Sequence, residues 1–194
     1  MSHYYISDES LKNVDYIVRF TIFDKEVILH SNNGVFSKNR VDIGTYFFLK
    51  SIIPLNINGK ILDFGAGIGT VGITLNLFFK ELDVTYCEIN DRALELVNKN
   101  LKQYNLNGEI VRDINSYINV FDYAFLNPPI RCGKEAIYNI YKDIYKALKE
   151  NGELYIVIRK DKGMNSHKKF LLSMFKEVEV IAKDKGYYVL KMIK

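Results

Sequence analysis

The stretch KILDFGAGIG, Lys60 to Gly69, constrains this chain more than any other. An apolar strand runs into alternating glycines, and TVGITLNLFFK follows at once as a helix with few polar positions. A strand that leaves through a loop and a helix returns parallel to itself, because a tight turn cannot make that crossover. The same alternation then repeats. LDVTYCEI reads as a strand, and DRALELVNKNLKQYNL as an amphipathic helix with Ala93, Leu94, Val97 and Leu101 at helical spacing. EIVRD and FDYAFLN read as strands, KEAIYNIYKDIYKALKE as a helix closed by Asn151-Gly152, ELYIVIRK as a strand and HKKFLLSMF as a helix. The end, VEVIAKDKGYYVLKMIK, reads as two strands around Lys185-Gly186, so the last strand is expected to run antiparallel. The predicted fold is α/β: a Rossmann-like, mostly parallel sheet with helices on both faces.

Before this core, VDYIVRFTIFDKEVILHS reads as a hairpin turning at Asp24-Lys25-Glu26, and TYFFLKSIIPL as a short helix from about Thr45 to Ile53. The first dozen residues read as an arm on the domain. The length of 194 residues predicts one domain, with 1–43 as an N-terminal extension and 44–194 as the core. The formal charge of +4 permits a polyanionic partner without demanding one, and the cations are spread along the chain. Cys87 and Cys132 form no Cys-x-x-Cys pair and the three histidines are scattered, so no metal site is expected. No secretory signal or membrane-length apolar run is visible, which predicts a cytoplasmic protein.

Glycines 65, 67 and 69, with Ala66, stand where a nucleoside-binding loop requires backbone freedom and close approach. Glu88, before Ile89 at the end of the next strand, is placed to accept from ribose hydroxyls. Asp63 precedes the glycines at the strand tip. A carboxylate there repels a pyrophosphate but suits a ligand with a cationic amine, such as S-adenosylmethionine; it could equally bond loop amides. Asp113 could accept from an adenine amino group or simply cap its strand.

With these residues in place, the sequence resembles the class I S-adenosylmethionine-dependent methyltransferases, and within them the small-domain family related to bacterial ribosomal RNA guanine-N2 methyltransferases. DFGAGIG resembles the first motif, Glu88 the ribose acid and Asp113 the adenine-side acid. HYYIS at 3–7, GVFSKNRVDIGT at 34–45 and NPPIRCGK at 127–134 carry the fuller likeness. Ile130 departs from it, standing where many relatives place Tyr or Phe. The resemblance implies that segment 34–45 covers the methionine end of the cofactor, with Phe36 and Thr45 contributing and Asp42 and Gly44 beside them. Asp42 or Thr45 also fits a plain helix start.

In the proposed sheet, Asn127 falls on the same edge as the glycine loop. An exocyclic base amine conjugates its lone pair into the ring. Acceptors that hold its hydrogens can aim that lone pair at a methyl group. The side-chain carbonyl of Asn127 and the backbone carbonyl of Pro128 are such acceptors, and Pro128 and Pro129 stiffen the turn. Ile130 offers a flat base an apolar face, with Phe36 or Tyr46 as a nearby ring. Arg40, Arg131 and Lys134 are candidate phosphate contacts. The leading expectation is an S-adenosylmethionine-dependent N-methyltransferase acting on guanine N2 of ribosomal RNA. Methylation of a protein amide or small molecule is one alternative; a non-catalytic RNA- or assembly-binding protein is another. RNA is the expected partner, without membrane or metal. The oligomeric state stays open, with a monomer favoured.

Overall fold

The computed structural model describes residues 14–37 and 39–194. The HYYIS stretch, the N-terminal arm, His3 and Lys38 lie outside the described residues.

Strands β1 (Asp15–Ile22) and β2 (Lys25–Asn32) form a two-stranded antiparallel sheet. Its turn falls at Phe23-Asp24, one residue before the expected position, with Phe23 at a φ of 51°. Val18, Phe20, Ile22, Val27 and Leu29 point from the hairpin into the core. The outer edge of β2 is met by side chains of α3 (Asp91–Tyr104). The Ile28 amide donates to the Tyr104 hydroxyl at 2.7 Å, and the Ile28 carbonyl accepts from Gln103 Nε2 at 2.7 Å. Asn100 exchanges both hydrogen bonds with the His30 backbone, at 2.7 and 3.1 Å. An edge that would otherwise expose unpaired backbone is thereby satisfied.

The main sheet holds β3 (Lys60–Phe64), β4 (Asp83–Cys87), β5 (Glu109–Val111), β6 (Phe121–Leu126), β7 (Leu148–Arg159), β8 (Glu177–Asp184) and β9 (Tyr187–Ile193). Their order is β5-β4-β3-β6-β7-β9-β8. Strands β3 to β7 are parallel, and β9 runs antiparallel to both β7 and β8. Alternation along the strands assigns the two faces. Ile61, Phe125, Tyr155, Val157 and Val189 enter the core under α1 (Ile43–Ile52), α2 (Thr70–Phe78), α3 and the hairpin. Leu62, Leu126, Ile156, Ile158 and Leu190 enter the core under α4 (Lys134–Ala147) and α5 (Met164–Leu171).

Three element ends depart from expectation. Helix α1 begins at Ile43, because Asp42 caps it by accepting from the Thr45 amide at 3.0 Å. Helix α4 stops at Ala147. Asn151-Gly152 is instead an irregularity inside β7, where the pairing slips from Phe121–Leu148 to Tyr123–Glu153 and Asn151 takes a φ of 62°. A left-handed Asn serves a strand irregularity as well as a helix end. Helix α5 runs from Met164 rather than His167, since Met164, His167 and Leu171 are its buried residues.

Candidate active site

The strand order reverses between β3 and β6, and their carboxyl ends therefore open a crevice. Asp63 pairs with Phe125 and Phe64 with Leu126, which sets Gly65 level with Asn127 across one strand spacing. Alternation places the side chains. Asp63 shares a face with Ile61, Glu88 with Tyr86, and Asn127 with Phe125, so all three face the layer of α1, α2 and α3. Phe125 is clamped between Phe48 of α1 and Tyr155 of β7, at ring-centroid distances of 6.2 and 5.6 Å. That packing fixes the strand end two residues before Asn127.

The glycine loop is held at both ends. The amides of Gly65 and Ala66 donate to the Cys87 carbonyl at 2.8 and 3.1 Å, and the Ile68 carbonyl accepts from Asn100 at 3.0 Å. Gly65 and Gly67 have φ of 68° and 57°, and a methyl group at either would meet no atom within 4 Å. They front open space. Gly69 differs: its absent side chain makes room for Ile73, 2.7 Å from where a Cβ would stand.

Two carboxylates flank this space. Asp63 is 3% exposed, and its Oδ2 accepts from the Gly72 amide in the first turn of α2 at 2.8 Å. Burial, opposed by that bond and reinforced by neighbouring Glu88, pushes its carboxyl up to about 7. Glu88 accepts from the Gly67 amide at 2.9 Å through one oxygen, and from the Ile89 and Asn90 amides at 2.8 and 2.9 Å through the other. Burial raises its pKa as well, while the backbone bonds pull it down. Ile89 is 53% exposed beside it, an apolar surface suited to a purine face. Asp113 is exposed past β5, and one of its oxygens accepts from the Asn115 amide at 3.0 Å. This strand-end contact leaves its second oxygen available.

Asn127 Nδ2 donates to the Thr45 hydroxyl at 3.1 Å, and that hydroxyl lies 3.5 Å from Asp42 Oδ2. The Thr45 hydroxyl donates toward Asp42, and its oxygen receives the Asn127 amide. The polarity of this chain leaves Asn127 Oδ1 as the outward acceptor. Pro128 and Pro129 form a tight turn. The Pro128 carbonyl accepts from the Ile130 amide at 2.9 Å, and Pro129 sits at φ −75°, ψ 77°. One lone pair of that carbonyl is engaged and one remains. Ile130 is half-buried against the α4 core. Phe36 is 57% exposed in the segment after β2. Arg40, Arg131 and Lys134 are all exposed, and the Lys134 ammonium lies 5.6 Å from the Tyr138 ring centroid, turned along α4. His167 is buried at 2.9 Å from the Tyr141 hydroxyl, as a packing residue.

Two anchors escaped the sequence reading. Asn90 caps α3 through the Ala93 amide at 3.2 Å, and its Nδ2 donates to the Gly34 carbonyl at 3.3 Å. Gly34 is therefore tied beside the end of β4, and Asp42, through Thr45, beside the end of β6. Asn90 was legible as a helix cap. Asn100 was legible as a polar residue on the apolar face that holds Val97 and Leu101.

The chain belongs to the methyltransferase small-domain family, whose model matches residues 26–191, and with it to the S-adenosylmethionine-dependent methyltransferases whose fold it shares. Among particular relatives, the uncharacterized protein YbxB of Bacillus subtilis is 36% identical over 97% of this chain and 96% of its own. Ribosomal RNA small subunit methyltransferase C of Buchnera aphidicola is 33% identical over 92% of this chain and 57% of that protein. The solved T. thermophilus 16S rRNA N2 methyltransferase, in complex with AdoMet and guanosine, shares the fold with a TM-score of 0.80 at 21% identity, over 95% of this chain and 52% of that one. The chain spans about half the length of the ribosomal RNA methyltransferases it matches.

Proposed function

We propose that this chain methylates the exocyclic N2 of guanine in ribosomal RNA. The observation that carries the reading is the chain of hydrogen bonds from Asn127 Nδ2 to the Thr45 hydroxyl and on to Asp42, which leaves the Asn127 carbonyl oxygen to accept from a planar amine. S-adenosylmethionine, when bound, supplies an electrophilic methyl group on a sulfonium. Asp63, Glu88, Ile89 and the loop from Gly65 to Gly69 are the residues that would hold it, with Asp113 at the adenine side. Asn127 Oδ1 and the free lone pair of the Pro128 carbonyl accept the two amine hydrogens. That rotates the nitrogen lone pair out of conjugation and toward the methyl group. Neutral acceptors suffice, because the methylated amine can lose its proton afterwards to water. Ile130 offers the base an apolar edge. A base within a duplex must leave its stack to reach this depth. The relatives named for ribosomal RNA methylation support RNA as the substrate class.

Incubation with labelled S-adenosylmethionine and an unmodified 16S ribosomal RNA transcript, followed by nucleoside analysis, tests the reading. Labelled N2-methylguanosine is the expected product. Label recovered only in protein would replace RNA with a protein amide, whose planar nitrogen suits the same two acceptors.

A further inference from the structure

The carboxyl edge of the sheet is electrically divided. The cofactor half carries Asp63, Glu88 and Asp113 at the ends of β3, β4 and β5. Beyond Asn127, the edge is built from the turn after β7, Arg159 to Gly163, and the turn between β8 and β9, Lys183 to Gly186. These two turns hold five cations, Arg159, Lys160, Lys162, Lys183 and Lys185, against the two acids Asp161 and Asp184. The whole chain carries only +4, so much of its excess is gathered here. Folding thus concentrates what the sequence spreads out.

The two turns form one surface. The Lys160 amide donates to the Gly186 carbonyl at 2.9 Å, and the Arg159 guanidinium lies 5.6 Å from the Tyr187 ring centroid. Asp161 pairs with Arg159 at 3.0 Å and reaches Lys162 at 3.9 Å. Among the described residues, Lys160, Lys183 and Lys185 make no ion pair, and all five cations are exposed. The surface is also continuous with the reacting centre. Tyr187 lies against the start of α1, where a side chain at Gly44 would come within 2.8 Å of its ring. The next residue, Thr45, holds Asn127. A chain of direct contacts therefore runs from the basic turns through Tyr187 and the start of α1 to the acceptor amide.

We infer that this basic ledge is the docking surface for the phosphate backbone of the RNA substrate. It rests on the reading of the site as an RNA methyltransferase and adds where the nucleic acid lies: across the β7–β9 corner, away from the acidic cofactor half. A polyphosphate laid over Asp63, Glu88 and Asp113 would be repelled, whereas unpaired lysines on the opposite half release counterions when phosphates replace them. The target nucleotide then enters from the ledge side, over the start of α1, and meets Asn127 with its backbone still held.

The test uses the full chain and an unmodified 16S ribosomal RNA transcript, with binding measured across a potassium chloride series. Three proteins are compared: wild type, Lys160→Gln/Lys162→Gln/Lys185→Gln, and a control, Lys80→Gln/Lys102→Gln/Lys146→Gln, at the amino edge of the sheet. The ledge variant is expected to bind about ten- to a hundredfold more weakly at low salt. Its slope of log affinity against log salt should be shallower by roughly 2, as loss of about three phosphate contacts requires. Its S-adenosylmethionine affinity should be unchanged, and the control should bind RNA like wild type. Wild-type binding with the same slope in the ledge variant, or an equal loss in the control, would overturn the ledge alone. Wild-type protein that binds no RNA would remove the RNA reading, and the ledge with it.

Discussion

Asp63 should be costly to the empty protein and useful to the loaded one. Its carboxyl is displaced from 3.8 to about 7 by burial. At 1.36 kcal/mol per pH unit, that displacement is worth at most about 4 kcal/mol. The folded chain keeps a proton that the unfolded chain releases across this window. Stability therefore falls as pH rises from about 4 to about 7, and the full cost stands above it. Asp63→Asn keeps an acceptor for the Gly72 amide and removes the charge. Without cofactor, at about pH 8, the variant should melt higher than wild type by on the order of 5–10 °C. By about pH 5 less than half of that gap should remain. Calorimetry should show the opposite ranking for function, with S-adenosylmethionine bound at least about tenfold more weakly by the variant. Wild-type affinity should itself decline as pH falls below about 7, because a neutral Asp63 no longer attracts a cationic ligand. Scanning calorimetry over the pH series reads the first effect. Equal melting temperatures near pH 8, or a gap that ignores pH, would refute the claim that Asp63 is a buried carboxylate held at a cost.

The Asp42–Thr45–Asn127 chain predicts that Thr45→Val lowers kcat about three- to tenfold at saturating S-adenosylmethionine, the worth of one neutral hydrogen bond. Thr45→Ser should restore most of the rate, whereas equal losses in Val and Ser variants would mean that packing, not the hydroxyl, matters. Tyr86 is fully buried, and its hydroxyl has no partner among the described residues. Tyr86→Phe should leave the melting temperature unchanged or raise it by a few degrees, at roughly 1 kcal/mol gained; a clear fall would reveal a partner for that oxygen.

Periodicity made most of the fold legible, because the strand–helix alternation leaves few ways to cover a parallel sheet. The antiparallel last strand followed from Lys185-Gly186, since so short a turn admits nothing else. Asn151-Gly152 misled because a left-handed Asn before Gly serves a helix end and a strand irregularity alike, and the pairing of β7 with β6 on both sides of it is not written in the local sequence. At the site, Asp63, Glu88 and Asn127 could be placed because Asp63 stands at the tip of β3, and Glu88 and Asn127 follow directly on β4 and β6. The partners of Thr45 could not. Residues 45 and 127 meet only after α1 packs on Phe125, a contact that no local pattern encodes. The basic ledge was hidden for the same reason: Lys160 and Lys185 stand far apart in the chain, and the register of β7 with β9 unites them.

Single-turnover methyl transfer by Asn127→Ala, with enzyme saturated by S-adenosylmethionine and with the RNA transcript as acceptor, bears most directly on the role of the oriented amide. The rate should fall about 10²- to 10³-fold, as for loss of one preorganised partner of a reacting group, while cofactor affinity and melting temperature stay near wild type. A variant that transfers methyl at the wild-type rate would show that the amine is held by something other than the Asn127 carbonyl.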